Sequence, residues 1–410
     1  MDKINFYNLI SAIAISIDIG ESSRMVEENV VENTTNLNYA KHKFTNHTKR
    51  VCYVSTEIGK IISNDKEFLK DLYVSSALHD IGISSNITDA HTEPDFIKLH
   101  CTKGSEFCLR LNFGESISTI IKYHHENYDG TSVFNIKGND IPLISQIIRL
   151  ADIFELLYDE SVPNYLQRNS INKWILENKY TIFNSDIVDV YMDLQSHDKF
   201  WWDVENVGYI DKVLKNIRPK EELMMDMKGL KSISEVLADI IDSKSDFTYR
   251  HSSNLAEIIS KIADYLNFDE NKKTRFIVSA LLHDIGKMGV PNSILNKNGK
   301  LNPTEITIMK SHTYYTRIIL SQIEGIEDIT NWASNHHEKL DGSGYPIGLK
   351  GKDLSLEERI LAVCDIYEAL SSKRPYKKAL SKDEIFNIMN PMVTSGKICG
   401  QSLDILKEVI

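Results

Sequence analysis

The chain is 410 residues long, 42% hydrophobic and 26% charged, with a formal net charge of -11 at pH 7. Such a length allows two or three domains with cores of their own, and the acidic balance speaks against a general affinity for nucleic-acid polymers or anionic membranes. Its five cysteines, Cys52, Cys101, Cys108, Cys364 and Cys399, form no CxxC pair, which argues against a disulfide framework or a zinc knuckle and makes a reducing cytoplasm the simplest home.

The first predicted element is the apolar run FYNLISAIAISIDIG from Phe6 to Gly20. Asn8, Ser11, Ser16 and Asp18 interrupt it and it is too short to span a bilayer, so a packing helix is expected rather than an export signal. Next, Val51, Val54, Ile58, Ile61 and Ile62 recur at helical spacing, beginning four residues after His47. His79 and Asp80 follow in ALHDIG, then His100, then His124 and His125 in HHENYDG, then Asp152 in RLADIFELL. The stretch from Ser161 onward carries Trp174, Phe200, Trp201 and Trp202, too many aromatic residues for a flexible tether, and reads as a packed helical connector. A second stripe, Leu255, Ile258, Ile259, Ile262 and Leu266, begins four residues after His251. It leads to His283 and Asp284 in LLHDIG, His312 in MKSH, His336 and His337 in HHEKLDGSGYP, and Asp365 in AVCDIYEAL.

These landmarks repeat in register. His47 to His79 and His251 to His283 are both 32 residues, and His100 to His124 and His312 to His336 are both 24. The second histidine of each pair precedes an aspartate by 27 residues in the first half and 28 in the second. Two copies of one helical domain are the economical explanation. An all-α architecture follows, with two tandem helical domains at 1–160 and 233–410 and the connector at 161–232.

Each copy collects five imidazoles and two carboxylates, a donor set suited to transition metals and larger than one ion needs. Ile329, Trp332, Ala333, His336 and His337 share helical spacing, as do Ile117, Ile120, Ile121, His124 and His125, so both histidine pairs are expected on buried stripes. A single histidine on an apolar face is more often a hydrogen-bonded core residue than a ligand. Seven ligand types recurring in register twice reverse that preference, because buried histidines beside a buried aspartate need a compensating charge.

Across SKSDFTYRHSSNLAEII, LLHDIGKMGVPNSIL, MKSH, HHEKLDGSGYPIGLKG and RILAVCDIYEALSSKRPYKKAL, the second copy resembles the HD-GYP branch of the HD superfamily of metal-dependent phosphohydrolases. The first copy resembles the broader HD type. The resemblance implies hydrolysis of a cyclic dinucleotide, usually cyclic di-GMP opened to pGpG and on to GMP, and in some members 3′,3′-cyclic GMP-AMP. By the same resemblance His251, His283 and Asp365 hold one ion, His312, His336 and His337 hold the other, and Asp284 bridges them. Two divalent transition-metal ions, Fe or Mn, are implied. Phe247 stands where members with a further metal have glutamate, which favours a two-metal centre activating a bridging hydroxide. Asp284 and Lys287 are the implied catalytic residues; Lys287, Arg374 and Lys377 are the implied phosphate contacts, and Tyr345 belongs to the rim of the substrate site.

In the first copy His47, His79, Asp80, His100, His124, His125 and Asp152 retain every ligand type, so a metal site is expected there also. Ile83 replaces the lysine, DGTSVF replaces DGSGYP, and the segment after Asp152 is acidic, which suits a regulatory or packing role. The implied partners are a cyclic dinucleotide and, through the first domain, a second copy or a signalling protein, with no nucleic-acid polymer and no membrane. A hydrolase of another nucleotide phosphoester is the enzyme alternative, and a non-catalytic dinucleotide receptor is the alternative of another class.

Overall fold

The structure, a computed structural model, describes residues 3–22, 46–83, 93–206, 218–220, 222–244, 250–372 and 379–410. Among these residues the fold is all-α apart from one short ribbon, in which β1 (Ile4–Asn5) pairs antiparallel with β2 (Met224–Met225), Ile4 opposite Met225. The chain forms two compact units, Ile13–Glu222 and Met1–Ala12 with Leu223–Ile410. The division falls inside the first helix, α1 (Phe6–Ser22). Among the described residues no helix is long and apolar enough to cross a membrane.

The unit Ile13–Glu222 continues with α2 (His47–Ile62), α3 (Lys66–Leu78), α4 (Pro94–Arg110), α5 (Glu115–Lys122), α6 (Leu143–Leu157), α7 (Asn164–Glu177), α8 (Ser185–Leu194) and α9 (Asp198–Glu205). Val51, Val54 and Ile58 are fully buried on α2, whereas Ile61 is half exposed in the last turn, where the helix runs out of partners. Helices α7 to α9 come from the expected connector and fold within this same unit. Phe154 of α6 meets Tyr191, Phe200 and Trp201 at ring distances of 5.8, 5.5 and 5.7 Å. Burying such rings is the main reason a segment of this length is ordered, at about 1.5–3 kcal/mol for each large apolar side chain. Trp202 lies outside the cluster and is largely exposed.

The other unit comprises α10 (Met227–Ser243), α11 (His251–Tyr265), α12 (Glu270–Leu282), α13 (Asn292–Leu295), α14 (Pro303–Leu320), α15 (Glu327–Ser334), α16 (Leu356–Ser371), α17 (Lys382–Thr394) and α18 (Gly400–Val409). Local signals start most of the long helices. Asp226 and Asp269 cap α10 and α12, and Asn302 with Glu305, Ser355 with Glu358 and Ser381 with Glu384 form capping boxes on α14, α16 and α17. The core is built from Leu255, Ile259 and Ile262 of α11, Phe276 and Ala280 of α12, Trp332 of α15, and Ile360, Leu361 and Cys364 of α16.

The helices opening on the key histidines begin differently. Arg250 and Asn46, just before α11 and α2, are left-handed (φ 58° and 59°) and provide no side-chain cap. Instead Asp242 of α10 accepts from the Ser252 backbone N–H (3.0 Å) and hydroxyl (2.9 Å), and Asp18 of α1 accepts from the Thr48 backbone N–H (2.8 Å). The repeat thus extends to the helix before each copy, and a tertiary contact decides where the first histidine sits.

The glycine of each His-Asp-Ile-Gly allows another close approach. A Cβ at Gly286 would lie 1.9 Å from the His312 carbonyl oxygen and 2.4 Å from the Thr316 nitrogen, and one at Gly82 would lie 2.0 Å from the His100 carbonyl oxygen. The backbone on both sides of that contact is helical or hydrogen-bonded and has nowhere to move. Gly286→Ala is expected to destabilise the second unit by about 1–3 kcal/mol or more, as for overpacked cores. Calorimetric melting of the full chain checks this, and an unshifted transition would contradict the contact.

Candidate metal centre

The described part of the second unit converges its ligand-type residues from five places in the chain. His251 opens α11, His283 follows the last turn of α12 with Asp284 next to it, His312 lies inside α14, and Asp365 lies inside α16. The pair His336 and His337 was expected on the buried stripe of a helix, but α15 ends at Ser334 and both lie just beyond it. A turn closed by Glu338 N–H donating to the Asn335 carbonyl (2.8 Å) carries them. His336 is buried, whereas the His337 side chain is 31% exposed, because the chain is already leaving the core.

Two triads can each hold an ion, His251, His283 and Asp284 in one and His312, His336 and His337 in the other, with ligand atoms within 4.8 Å of one another. Asp284 spans them. Its Oδ2 faces His283 Nε2 at 3.2 Å and His251 Nε2 at 3.7 Å, while its Oδ1 faces His312 Nε2 at 3.6 Å. Asp365 presents Oδ1 to His251 Nε2 at 3.2 Å and Oδ2 to His337 Nδ1 at 3.9 Å. Ligands about 2.1 Å from a common ion stand roughly 3.0–3.4 Å apart at right or tetrahedral angles, so these separations suit shared ions.

Ring orientation gives an independent test of fit. The Nδ1–H groups of His283, His312 and His336 donate to the carbonyls of Ala280 (2.7 Å), Met309 (2.6 Å) and Ala333 (2.6 Å). That bond fixes the tautomer and turns each Nε2 lone pair inward. His312 Nε2 and His336 Nε2 then face one another at 3.4 Å, lone pair to lone pair. Burial pushes His312 down to about 3 and His336 well below the usual histidine range, so a proton is a poor mediator between them. A metal cation fits. Burial also opposes charge on Asp284, yet His283 and Lys287 hold its carboxyl well below the usual range. Burial opposes charge on His251 too, but Asp365 and Glu368 outweigh it and raise the imidazole to about 10.

The first unit repeats the arrangement. Asp80 Oδ2 faces His79 Nε2 (3.1 Å) and His47 Nε2 (3.5 Å), and its Oδ1 faces His100 Nε2 (3.5 Å) and His124 Nε2 (3.6 Å). His79 and His124 donate through Nδ1 to the carbonyls of Ser76 (3.0 Å) and Ile121 (2.6 Å). Two groups can hold an ion here, His47, His79 and Asp80, and His100, His124 and His125 joined by Cys101. Neither oxygen of the fully buried Asp152 accepts a hydrogen bond from the described residues, which again leaves a carboxylate suited to a cation.

Several supporting residues escape a reading by ligand type. Glu368 accepts from His251 Nδ1 and from Asn254 (3.0 Å), and Glu155 accepts from His47 Nδ1 (2.6 Å) and from Arg50 (2.9 and 3.0 Å). Both stand three residues after the aspartate of their copy, in DIYE and DIFE, a shared pattern that could have exposed them. The glutamate of each His-His-Glu holds the loop that follows. Glu338 accepts from the N–H groups of Ile347 (2.7 Å), Gly348 (3.0 Å) and Leu349 (2.9 Å), and Glu126 accepts from Phe134 (2.9 Å) and Ile136 (3.2 Å).

Around the second centre, Lys287 Nζ lies 2.5 Å from Asp284 Oδ2. Tyr345 stands with its ring 4.9 Å from that of His337 and 6.3 Å from that of His312, beneath Lys310 Nζ at 5.2 Å. It precedes Pro346 through a cis peptide. Gly344 is obligatory beside it, since a Cβ would meet the Lys339 nitrogen at 2.4 Å. Ile83, at the first copy's lysine position, is buried. Arg374, Lys377 and Phe247 lie outside the described residues.

A family model described as an HD domain matches residues 31–171 and 235–399. A 3′3′-cGAMP-specific phosphodiesterase of Vibrio cholerae is 30% identical over 373 residues, 88% of this chain and 86% of that protein. A second one from the same organism is 28% identical over 429 residues, covering 91% and 92%. A cyclic di-GMP phosphodiesterase of Thermotoga maritima is 34% identical over 201 residues, covering 46% and 54%. Among solved structures, a cyclic GMP-AMP specific phosphodiesterase of V. cholerae, 23% identical, covers 100% of this chain and 98% of its own with a TM-score of 0.70, a likeness of fold.

Because Glu368 orients His251, Glu368→Ala is expected to weaken binding of manganese or iron by the full chain by about 10–100-fold, in line with losses of other residues that orient metal ligands. Titration calorimetry with the metal measures it; unchanged affinity would remove Glu368 from that role.

Proposed function

The chain belongs to the HD domain family, and from that premise we propose that its second unit is a metal-dependent cyclic-dinucleotide phosphodiesterase. The observation that carries the reading is Asp284 lying between two imidazole sets, with a lysine and the Gly-Tyr-Pro loop beside it. We favour 3′,3′-cyclic GMP-AMP as the substrate, because the relatives so named match this chain across both units. Cyclic di-GMP is the second reading, supported by the Thermotoga relative that matches about half the chain.

Two divalent transition-metal ions, with iron or manganese as the favoured metals, would be held by His251, His283 and Asp365 and by His312, His336 and His337, with Asp284 shared; such ions supply charge neutralisation and activation of water for attack on phosphorus. The residues of this chain provide the rest. Backbone carbonyls behind His283, His312 and His336, and Glu368 behind His251, hold four rings so that no reorganisation is needed as charge develops. Hydrolysis joins a water oxygen to phosphorus and breaks the bond to the ribose 3′ oxygen, leaving a linear dinucleotide with a 5′ phosphate. Negative charge grows on the phosphate during that exchange. Lys287, on the turn after Asp284, is proposed to meet it, and Arg374 and Lys377 are proposed as further phosphate contacts. Tyr345 packs against His337 and lines the rim, where it would bear on the nucleotide by shape. Glu338 keeps that rim in place through three backbone N–H groups.

The first unit keeps the donors but has Ile83 where the second has Lys287. We assign it a regulatory or packing role with little turnover of its own, and it is the candidate surface for a second copy or a signalling partner.

Purified full chain loaded with manganese or iron is expected to convert 3′,3′-cyclic GMP-AMP faster than cyclic di-GMP, with a linear product seen by chromatography. Lys287→Ala is expected to lower kcat/KM by about 10²–10³-fold while bound metal stays the same, the size of losses on removing one preorganised charge-stabilising group. Equal rates for wild type and Asp284→Ala would refute the metal mechanism, and tight binding of both dinucleotides without turnover would make the protein a receptor.

A further inference from the structure

The two centres differ at a position that neither motif nor spacing singles out. Three residues before Asp365 stands Ala362, and three residues before Asp152 stands Arg149, fully inside the protein at 1% exposure. Its Nη1 donates to His125 Nδ1 at 3.0 Å, and its Nε and Nη2 donate to Asn127 Oδ1 at 3.3 and 3.1 Å. The same Nη1 lies 3.9 Å from Asp152 Oδ2. In the second unit the matching atoms, His337 Nδ1 and Asp365 Oδ2, face each other at 3.9 Å, and the residue at the arginine's position ends at a methyl group.

We infer that Arg149 is a built-in cation that takes the His125 side of the first unit's centre, so that this unit holds one metal ion, on His47, His79, Asp80 and Asp152, and not a pair. The reasoning rests on lone pairs. A guanidinium is a donor only, so His125 Nδ1 must accept, and the neutral ring then carries its proton on Nε2. Neither nitrogen of that ring has a lone pair left for a metal while the bond to Arg149 stands. A guanidinium does not lose its charge in a protein, so it also repels a second divalent ion at close range. Asn127 fixes the guanidinium plane through two further bonds, which makes the arrangement a built one rather than a side chain folded inward by chance. The competing arrangement is an ion on His100, Cys101, His124 and His125, whose ligand atoms lie within 4.8 Å of one another; it requires His125 to give up Arg149. The inference rests on the proposed reading of the second unit as a two-ion centre, the standard against which the first is judged. It deepens the proposed regulatory role by assigning a physical cause: a two-ion mechanism is not assembled in the first unit although every metal ligand type is there.

The test uses the full chain with both triads of the second centre disabled, by His283→Ala and Asp284→Ala in one and His312→Ala and His336→Ala in the other, loaded with manganese and read by elemental analysis and electron paramagnetic resonance. One ion per chain with the spectrum of an isolated manganese is expected, and adding Arg149→Met brings in a second ion and an exchange-coupled spectrum. His125→Ala in the same background, with Arg149 intact, keeps its single ion. A coupled pair while Arg149 is present, no bound ion, loss of the ion in His125→Ala, or no second ion in a folded Arg149→Met protein would each overturn the inference. If Arg149→Met does not fold, the ion count before that change and the His125→Ala result decide. Absence of a coupled pair at the intact second centre, measured on the chain without the disabling changes, would instead refute the two-ion reading of that unit.

Discussion

A carboxylate buried between imidazoles is the constraint on which both units turn. Asp284 and Asp80 sit in interiors made of leucine, isoleucine and aromatic rings, where an uncompensated negative charge would cost several kcal/mol. Each resolves the problem in the same way, by giving one oxygen to one set of histidines and the other oxygen to the next. That geometry requires the first, second, third and fourth histidines of a copy to arrive at one point from separate helices and the turns that end them. The bundle is arranged to deliver them.

Delivery depends on contacts behind the rings. Backbone carbonyls one turn earlier hold the Nδ1–H of His283, His312 and His336, and Glu368 holds that of His251, so inward Nε2 lone pairs are a consequence of helix geometry and of one distant glutamate. Gly286 lets the Asp284 turn approach α14 to within contact of the His312 carbonyl, and Asp242 sets where α11 begins. None of these residues need touch a substrate or an ion. They determine whether the donors meet.

Much of the arrangement was legible beforehand, for identifiable reasons. The 32- and 24-residue spacings recur because each copy must bring the same helices to the same point, and a repeat of that kind survives divergence of everything between. Donor types were legible because a buried histidine beside a buried aspartate is costly without a cation. Less legible were the ends of elements: the helical stripe through Ile329, Trp332 and Ala333 stops at Ser334, and the two histidines ride on a turn that helical spacing cannot distinguish from one more helical turn. Glu368 and Glu155 were visible in the shared DIYE and DIFE patterns, but their task became clear only when His251 and His47 were found opposite them.

By itself, then, the sequence determined that helices would form, that they would come in two matched sets, and that each set would carry metal-type donors on its buried face, because periodicity and residue chemistry are local properties of the chain. Tertiary structure decided which nitrogen of each ring points inward, which oxygen of each aspartate serves which histidines, and that Arg149 reaches His125 whereas its counterpart Ala362 cannot fill the matching space. Those outcomes depend on groups brought together from distant parts of the chain, and a lone pair has a direction that spacing along a helix does not specify.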